Sequence, residues 1–306
     1  MNTAAPSLPT GRRLPGGLLL TLAMITVGST VVASRIIVAG LPPFTACALR
    51  FAIALPIFLA LMRWHGQRLP RPAPRDATLI ALQALCGSVG YAVLLMAGLR
   101  TTSAADAGVI AGTLPAVGAL VGALVLRERI GLRLGLAIGL ACAGVAAVAV
   151  APTHANGAAK GSLPGDVLVM AAVGCESLFL LLNKRLRVPL APLALSTLMT
   201  ALGLGMTLGP ALAERAWTLP VDAAALLGVL YYALVPTVGG YLLWYAGAER
   251  VSAGRAALYT AVLPVSALAL AALVLREPIA GSQLAGAACV LAAIAASAAP
   301  RRSVSG

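Results

Sequence analysis

Glu176 stands deep inside an apolar run of this sequence, where a charge is hardest to keep. At about 1.5 Å per residue along a helix, it lies roughly 15 Å from Asp166 and roughly 12 Å from Lys184. Those are the nearest charges on either side. A carboxyl that far from water must give up its charge or meet a cation or several donors. It could bind and release a proton, or hold the ammonium of a small molecule. A structural ion pair or an interhelical hydrogen bond would use it equally well. The other eight acidic residues fall in loops or at the ends of apolar runs.

Arg50 is the natural counter-charge. It sits about 10 Å inside its own apolar run by the same count, too deep for a loop residue. Its planar fork suits a carboxylate held by two parallel hydrogen bonds, and support of neighbouring helix-end carbonyls is the competing use. Arg35, nearer the end of its run, is expected to snorkel towards water.

Aromatic residues are 4% of the chain, so their clustering carries information. Tyr91, Tyr241, Trp244 and Tyr259 are the aromatic candidates for a binding pocket, with Tyr91 and Tyr241 expected on opposite walls. Interfacial anchoring competes for Trp244 and Tyr245. Ser29 and Thr30, beside Gly28 and Ser34, give one run a small polar face that suits either a pocket or close packing. Pro236, Pro115 and Pro264 interrupt helical hydrogen bonding inside apolar runs and are candidate kink or gating positions. Gly118/Gly122 and Gly131/Gly135/Gly139 carry the spacing of tight helix contacts.

Several chemistries lack their motifs. There is no phosphate-binding loop, no zinc-protease HExxH and no nucleophile elbow. Both histidines, His65 and His154, fall in loops, and the five cysteines show no ligand spacing. No catalytic residue, metal or cofactor is expected, and an intramembrane enzyme or an assembly subunit is the least favoured reading.

The elements that must position these residues follow from composition. The 306 residues are 60% hydrophobic and only 10% charged, with a mean hydropathy of +0.96. A soluble chain would carry roughly 25% charged residues, so the natural solvent is lipid. Apolar runs near twenty residues, rich in Leu and Ala, select helices over barrel strands. Ten spans are expected at about 16–38, 43–62, 77–99, 104–126, 133–151, 165–183, 191–212, 222–246, 255–275 and 281–299. The first is too long for a cleaved secretory signal. With the N-terminus inside, sixteen Lys and Arg residues fall in the inner segments and four (Arg100, Lys160, Arg215 and Arg276) in the outer ones. That bias puts both termini in the cytoplasm. The net charge of +13 is therefore a topology signal, and no nucleic acid is expected as a partner.

The halves repeat. LPAVGALVGALVLRERI at 114–130 and LPVSALALAALVLREPI at 263–279 share nine of 17 positions, at an offset of 149 residues. The same offset aligns Ala97-Gly98 with Ala246-Gly247. Each half holds five spans, an odd number, so the second must lie upside down relative to the first. Inverted repeats of this kind place a substrate site near the midplane. The expected organisation is a tail at 1–15, a first repeat at 16–151, a linker at 152–164, a second repeat at 165–299 and a tail at 300–306.

LPPFTACALRF at 41–51, the Thr102-Ser103-Ala104 turn and the two LP…LRE blocks resemble the EamA-like branch of the drug/metabolite transporter superfamily, over about 16–299. The resemblance implies a ten-helix α-helical carrier working by alternating access. Its expected cargo is a small metabolite, an amino acid first, moved out across the bacterial inner membrane. Multidrug and nucleotide-sugar carriers of the same fold are the alternatives. Arg50 belongs to the ALRF part of that signature, which weighs towards a role in the fold. Membrane lipids, the substrate, a coupled proton and either a monomer or a homodimer complete the expected partners.

Overall fold

The computed structural model describes residues 15–126, 132–149, 162–183, 185–187, 190–220, 222–251 and 259–298. Six long apolar helices cross the bundle: α1 (Gly16–Gly40), α2 (Pro43–Trp64), α3 (Pro74–Gly98), α6 (Leu163–Asn183), α7 (Pro192–Ala213) and α8 (Ala223–Ala248). The span α4 is two segments, Ala104–Gly112 and Leu114–Leu126, bent by 45°. Three shorter helices, α5 (Leu132–Ala149), α9 (Val262–Val274) and α10 (Gly281–Ala298), bring the described spans to ten. The described residues hold helices, turns and irregular loops.

Local chemistry sets many of the ends. α2, α3 and α7 begin on Pro43, Pro74 and Pro192, whose missing N–H falls where a helix has no partner for it. Ser103 caps α4, accepting the Asp106 N–H at 2.9 Å. Asp222 caps α8 through the N–H groups of Ala224 and Ala225, at 2.8 and 3.2 Å. Pro115 cannot extend the first α4 segment without losing a hydrogen bond, so the span breaks at Thr113. Pro264 sits at the corresponding place in α9, whose regular helix starts at Val262. The expectation of a continuous fourth helix is corrected accordingly, and residues 252–258 of the ninth expected span lie outside the described residues.

Packing follows one rule. α1 lies on α8 and α9, and α6 lies on α3 and α4, while α2 faces α7, α4 faces α9 and α5 faces α10. Exchanging the two halves maps this set of neighbours onto itself. With five spans per half, that exchange makes the repeats inverted.

Glycines mark the matched contacts. A Cβ on Gly98 would stand 2.8 Å from the Gly165 carbonyl oxygen, joining α3 to α6. At the 149-residue offset, a Cβ on Gly247 would stand 3.1 Å from the Gly16 oxygen, joining α8 to α1. The glycines singled out by spacing behave differently. Among the described residues, Gly122, Gly135 and Gly139 have nothing within 4 Å of a Cβ and Gly118 has only the Ser177 hydroxyl at 3.8 Å, so they seal no tight contact there. Gly131 lies outside the described residues. Gly98→Val should therefore destabilise the purified protein by about 1–3 kcal/mol, since backbone cannot yield as a side chain does. Gly139→Val should leave thermal unfolding unchanged, and equal melting curves for the two variants would contradict the contact.

Candidate functional site

Two matched irregularities shape the middle of the bundle. Within α3, residues Ala84–Gly90 form a π turn, and within α8, Ala233–Gly239 form another, offset by the same 149 residues. Such turns free backbone carbonyls and cluster at functional sites. In α8, Pro236 removes one N–H, and the Thr237 hydroxyl donates to the Tyr232 carbonyl at 2.8 Å. In α3, the Ser88 carbonyl accepts from Nη2 of Arg50 at 3.2 Å.

Arg50 is buried, with its guanidinium 4.4 Å from the Phe51 ring centroid and 4.5 Å from that of Tyr232. Cation–π attraction on two rings holds the fork in place. Its Nε is buried and makes no hydrogen bond among the described residues. An unanswered buried donor on a cation is costly. The expected pairing with Glu176 is not formed: no ion pair joins the two among the described residues, although both line one cavity.

That cavity encloses about 300 Å³ and lies on the axis relating the repeats. Six pairs of its lining residues are repeat mates: Val27 and Glu176, Thr30 and Phe179, Arg50 and Met199, Phe51 and Thr200, Gly87 and Pro236, Ser88 and Thr237. Symmetry thus builds the cavity, and the charges break it. Glu176 faces an apolar mate in Val27, and Arg50 faces one in Met199.

The lining reaches Phe58, Phe179 and Ser196, near the arginine-rich end of the bundle. At the opposite end the repeats are tied together. Glu214 accepts the N–H groups of Phe44 and Thr45, at 3.1 and 2.7 Å, and the Thr45 hydroxyl at 2.8 Å. Glu277 accepts the N–H groups of Ala104 and Ala105, at 3.2 and 3.1 Å. Both carboxylates sit at helix N-termini, where the helix dipole favours negative charge. The Thr102 hydroxyl donates to Asp166 at 2.5 Å, and the Gln283 amide donates to Asp106 at 2.8 Å. Each tie crosses from one repeat to the other. The structure is closed at the arginine-poor end, with its cavity extending towards the other.

Of the residues singled out from sequence, Glu176, Arg50, Tyr91, Thr30 and Pro236 meet in this cavity. Tyr241 does not line it and so does not face Tyr91 across it. Its ring packs against Phe58, with centroids 5.5 Å apart, and against Tyr245 at 4.7 Å. Ser29 points into a separate apolar groove between α1, α8 and α9, where its hydroxyl accepts from Tyr231 at 2.8 Å. Trp244 and Tyr259 are half-buried and outside the cavity lining, Tyr259 lying against Gly17. Pro115 lies just after the break in α4, and Pro264 lies in the first turn of α9. Arg35 donates through Nη1 to the Leu99 carbonyl at the end of α3. Phe51, Ser88, Tyr232 and Thr237 were not anticipated, though the repeat offset applied to each candidate points to several of the cavity's walls.

Ten helical spans in two inverted halves, with helices broken around a midplane cavity, define a membrane transporter. The chain belongs to the EamA-like transporter family, whose model matches residues 14–150 and again 163–298. It is 32% identical over 278 residues to a Bacillus subtilis (strain 168) protein named "Uncharacterized transporter YetK", covering 90% of this chain and 84% of that one. A solved crystal structure shares the fold, with a TM-score of 0.62 at 20% identity, covering 92% of this chain and 96% of the other. Family and relative agree on a transporter and not an enzyme.

Proposed function

We propose that the protein is a secondary transporter that exports a zwitterionic metabolite, an amino acid, across the bacterial inner membrane by alternating access. One observation carries this: a single cavity on the repeat axis is lined by one cation and one acid that do not pair with each other. A substrate carboxylate would satisfy Arg50 Nε, and its ammonium would satisfy Glu176. Among the described lining residues Arg50 is the one cation, which fits a single carboxylate better than the diphosphate of a nucleotide sugar. With both termini cytoplasmic, the arginine-rich end faces the cytoplasm and the cavity loads from there.

Counterflow in proteoliposomes against a panel of amino acids, cationic drugs and nucleotide sugars tests the cargo. Exchange of amino acids alone is the expected result, and exchange of drugs or nucleotide sugars without amino acids would refute it. Orientation has its own test. Trp217, exposed between α7 and α8 at the arginine-poor end, replaced by Cys should react with an impermeant thiol reagent from the periplasm. Trp64→Cys at the other end should react only after the membrane is permeabilised. The reverse pattern would invert the topology.

A further inference from the structure

A second, smaller lobe of about 90 Å³ adjoins the cavity at Glu176. The two spaces share Val27, Thr30, Tyr91 and Glu176, so these residues form the mouth between them. The rest of the lobe is Ala111, Leu114, Val173 and Leu263, without a polar side chain. Leu114 and Leu263 are repeat mates, each immediately before a proline in the first turn of a helical segment, so the lobe too lies on the axis. Its walls cannot readily spread. α4 and α9 are in close contact there, and a Cβ on Gly112 would stand only 2.7 Å from Cβ of Pro264.

The polar groups at the mouth and the apolar walls behind them match one kind of substituent. Resting on the zwitterion reading above, we infer that the lobe is the side-chain subsite, taking an aliphatic side chain of about three or four carbons and excluding aromatic rings. An ammonium on Glu176 sits at the mouth, and the substituent on the same carbon enters the lobe. An apolar cavity of about 150 Å³ takes up one benzene ring of six carbons, so about 90 Å³ holds three or four carbons. A propyl or isobutyl group fills such a space, whereas a benzyl group needs about twice as many heavy atoms as the lobe holds. Ala111 and Leu263 then set selectivity: the first by leaving room, the second by limiting it.

Inhibition of counterflow by glycine, L-leucine and L-phenylalanine, using the full-length protein in proteoliposomes, tests the inference. Each buried methylene is worth roughly a factor of four, so leucine should compete at least about tenfold better than glycine. Phenylalanine should compete about tenfold worse than leucine. Ala111→Leu fills the lobe and should bring leucine to within about threefold of glycine. Leu263→Ala enlarges it and should raise phenylalanine relative to leucine about tenfold, a gain that misfolding cannot produce. Amino-acid exchange with selectivity unchanged in both variants would overturn the side-chain subsite alone. Exchange of none of the three amino acids by the wild-type protein would overturn the zwitterion reading as well.

Discussion

Arg50→Lys should reduce amino-acid counterflow by about 30-fold or more while the protein inserts and folds normally. Lysine keeps the charge but loses what the geometry uses. The guanidinium is flat and lies against the rings of Phe51 and Tyr232 while donating to the Ser88 carbonyl. Its Nε remains for a substrate oxygen. An ammonium cannot stack on two rings and present a planar fork to a carboxylate at once. Losing the fork and one ring contact is worth roughly 2–4 kcal/mol, or about 30- to 1000-fold. The check is the dependence of counterflow on substrate concentration, with thermal unfolding in detergent as the control. If Arg50 served the fold alone, the lysine variant would melt lower and its surviving fraction would transport with unchanged affinity.

Glu176→Gln should have an effect of similar size but a different signature. Glutamine keeps the size and a hydrogen-bonding oxygen, and removes the charge that answers an ammonium. Truncating one partner of a buried charge contact costs roughly 2–5 kcal/mol, so affinity for the free amino acid should fall about 30-fold or more. Affinity for its N-acetyl derivative, which carries no ammonium, should not fall. A coupled proton is tested by the same variant: the glutamine cannot take one up, so its counterflow should lose the pH dependence of the parent. An unaltered preference for the free amine together with an unaltered pH profile would remove Glu176 from both roles.

The spans were legible because lipid leaves each backbone segment to satisfy its own hydrogen bonds, which demands near-continuous apolar runs. The repeat was legible at Leu114-Pro115 and Leu263-Pro264, where the same Leu-Pro pair stands in the first turn of a helical segment in both halves. The π turns were not. One coincides with Pro236, but its mate at Ala84–Gly90 contains no proline and nothing else in its composition announces a widened turn. Tyr241 was misplaced for a separate reason, the strict repeat offset. The repeat mate of Tyr91 is Gly240, and one residue further is about 100° around a helix, enough to turn the ring from the cavity onto Phe58. The depth of Glu176 and Arg50 was readable by counting. Their separation was not, because the two rings that hold Arg50 come from its own helix and from α8, 182 residues away in sequence at Tyr232.

The central claim is that one cavity answers both charges of a zwitterion. Isothermal titration of the purified protein tests it most directly, with a free L-amino acid, its N-acetyl derivative and its methyl ester as the three ligands. The expected result is binding of the free amino acid, with each blocked derivative weaker by about 30-fold or more, since each leaves one buried charge unanswered. Equal affinity for all three would contradict the account.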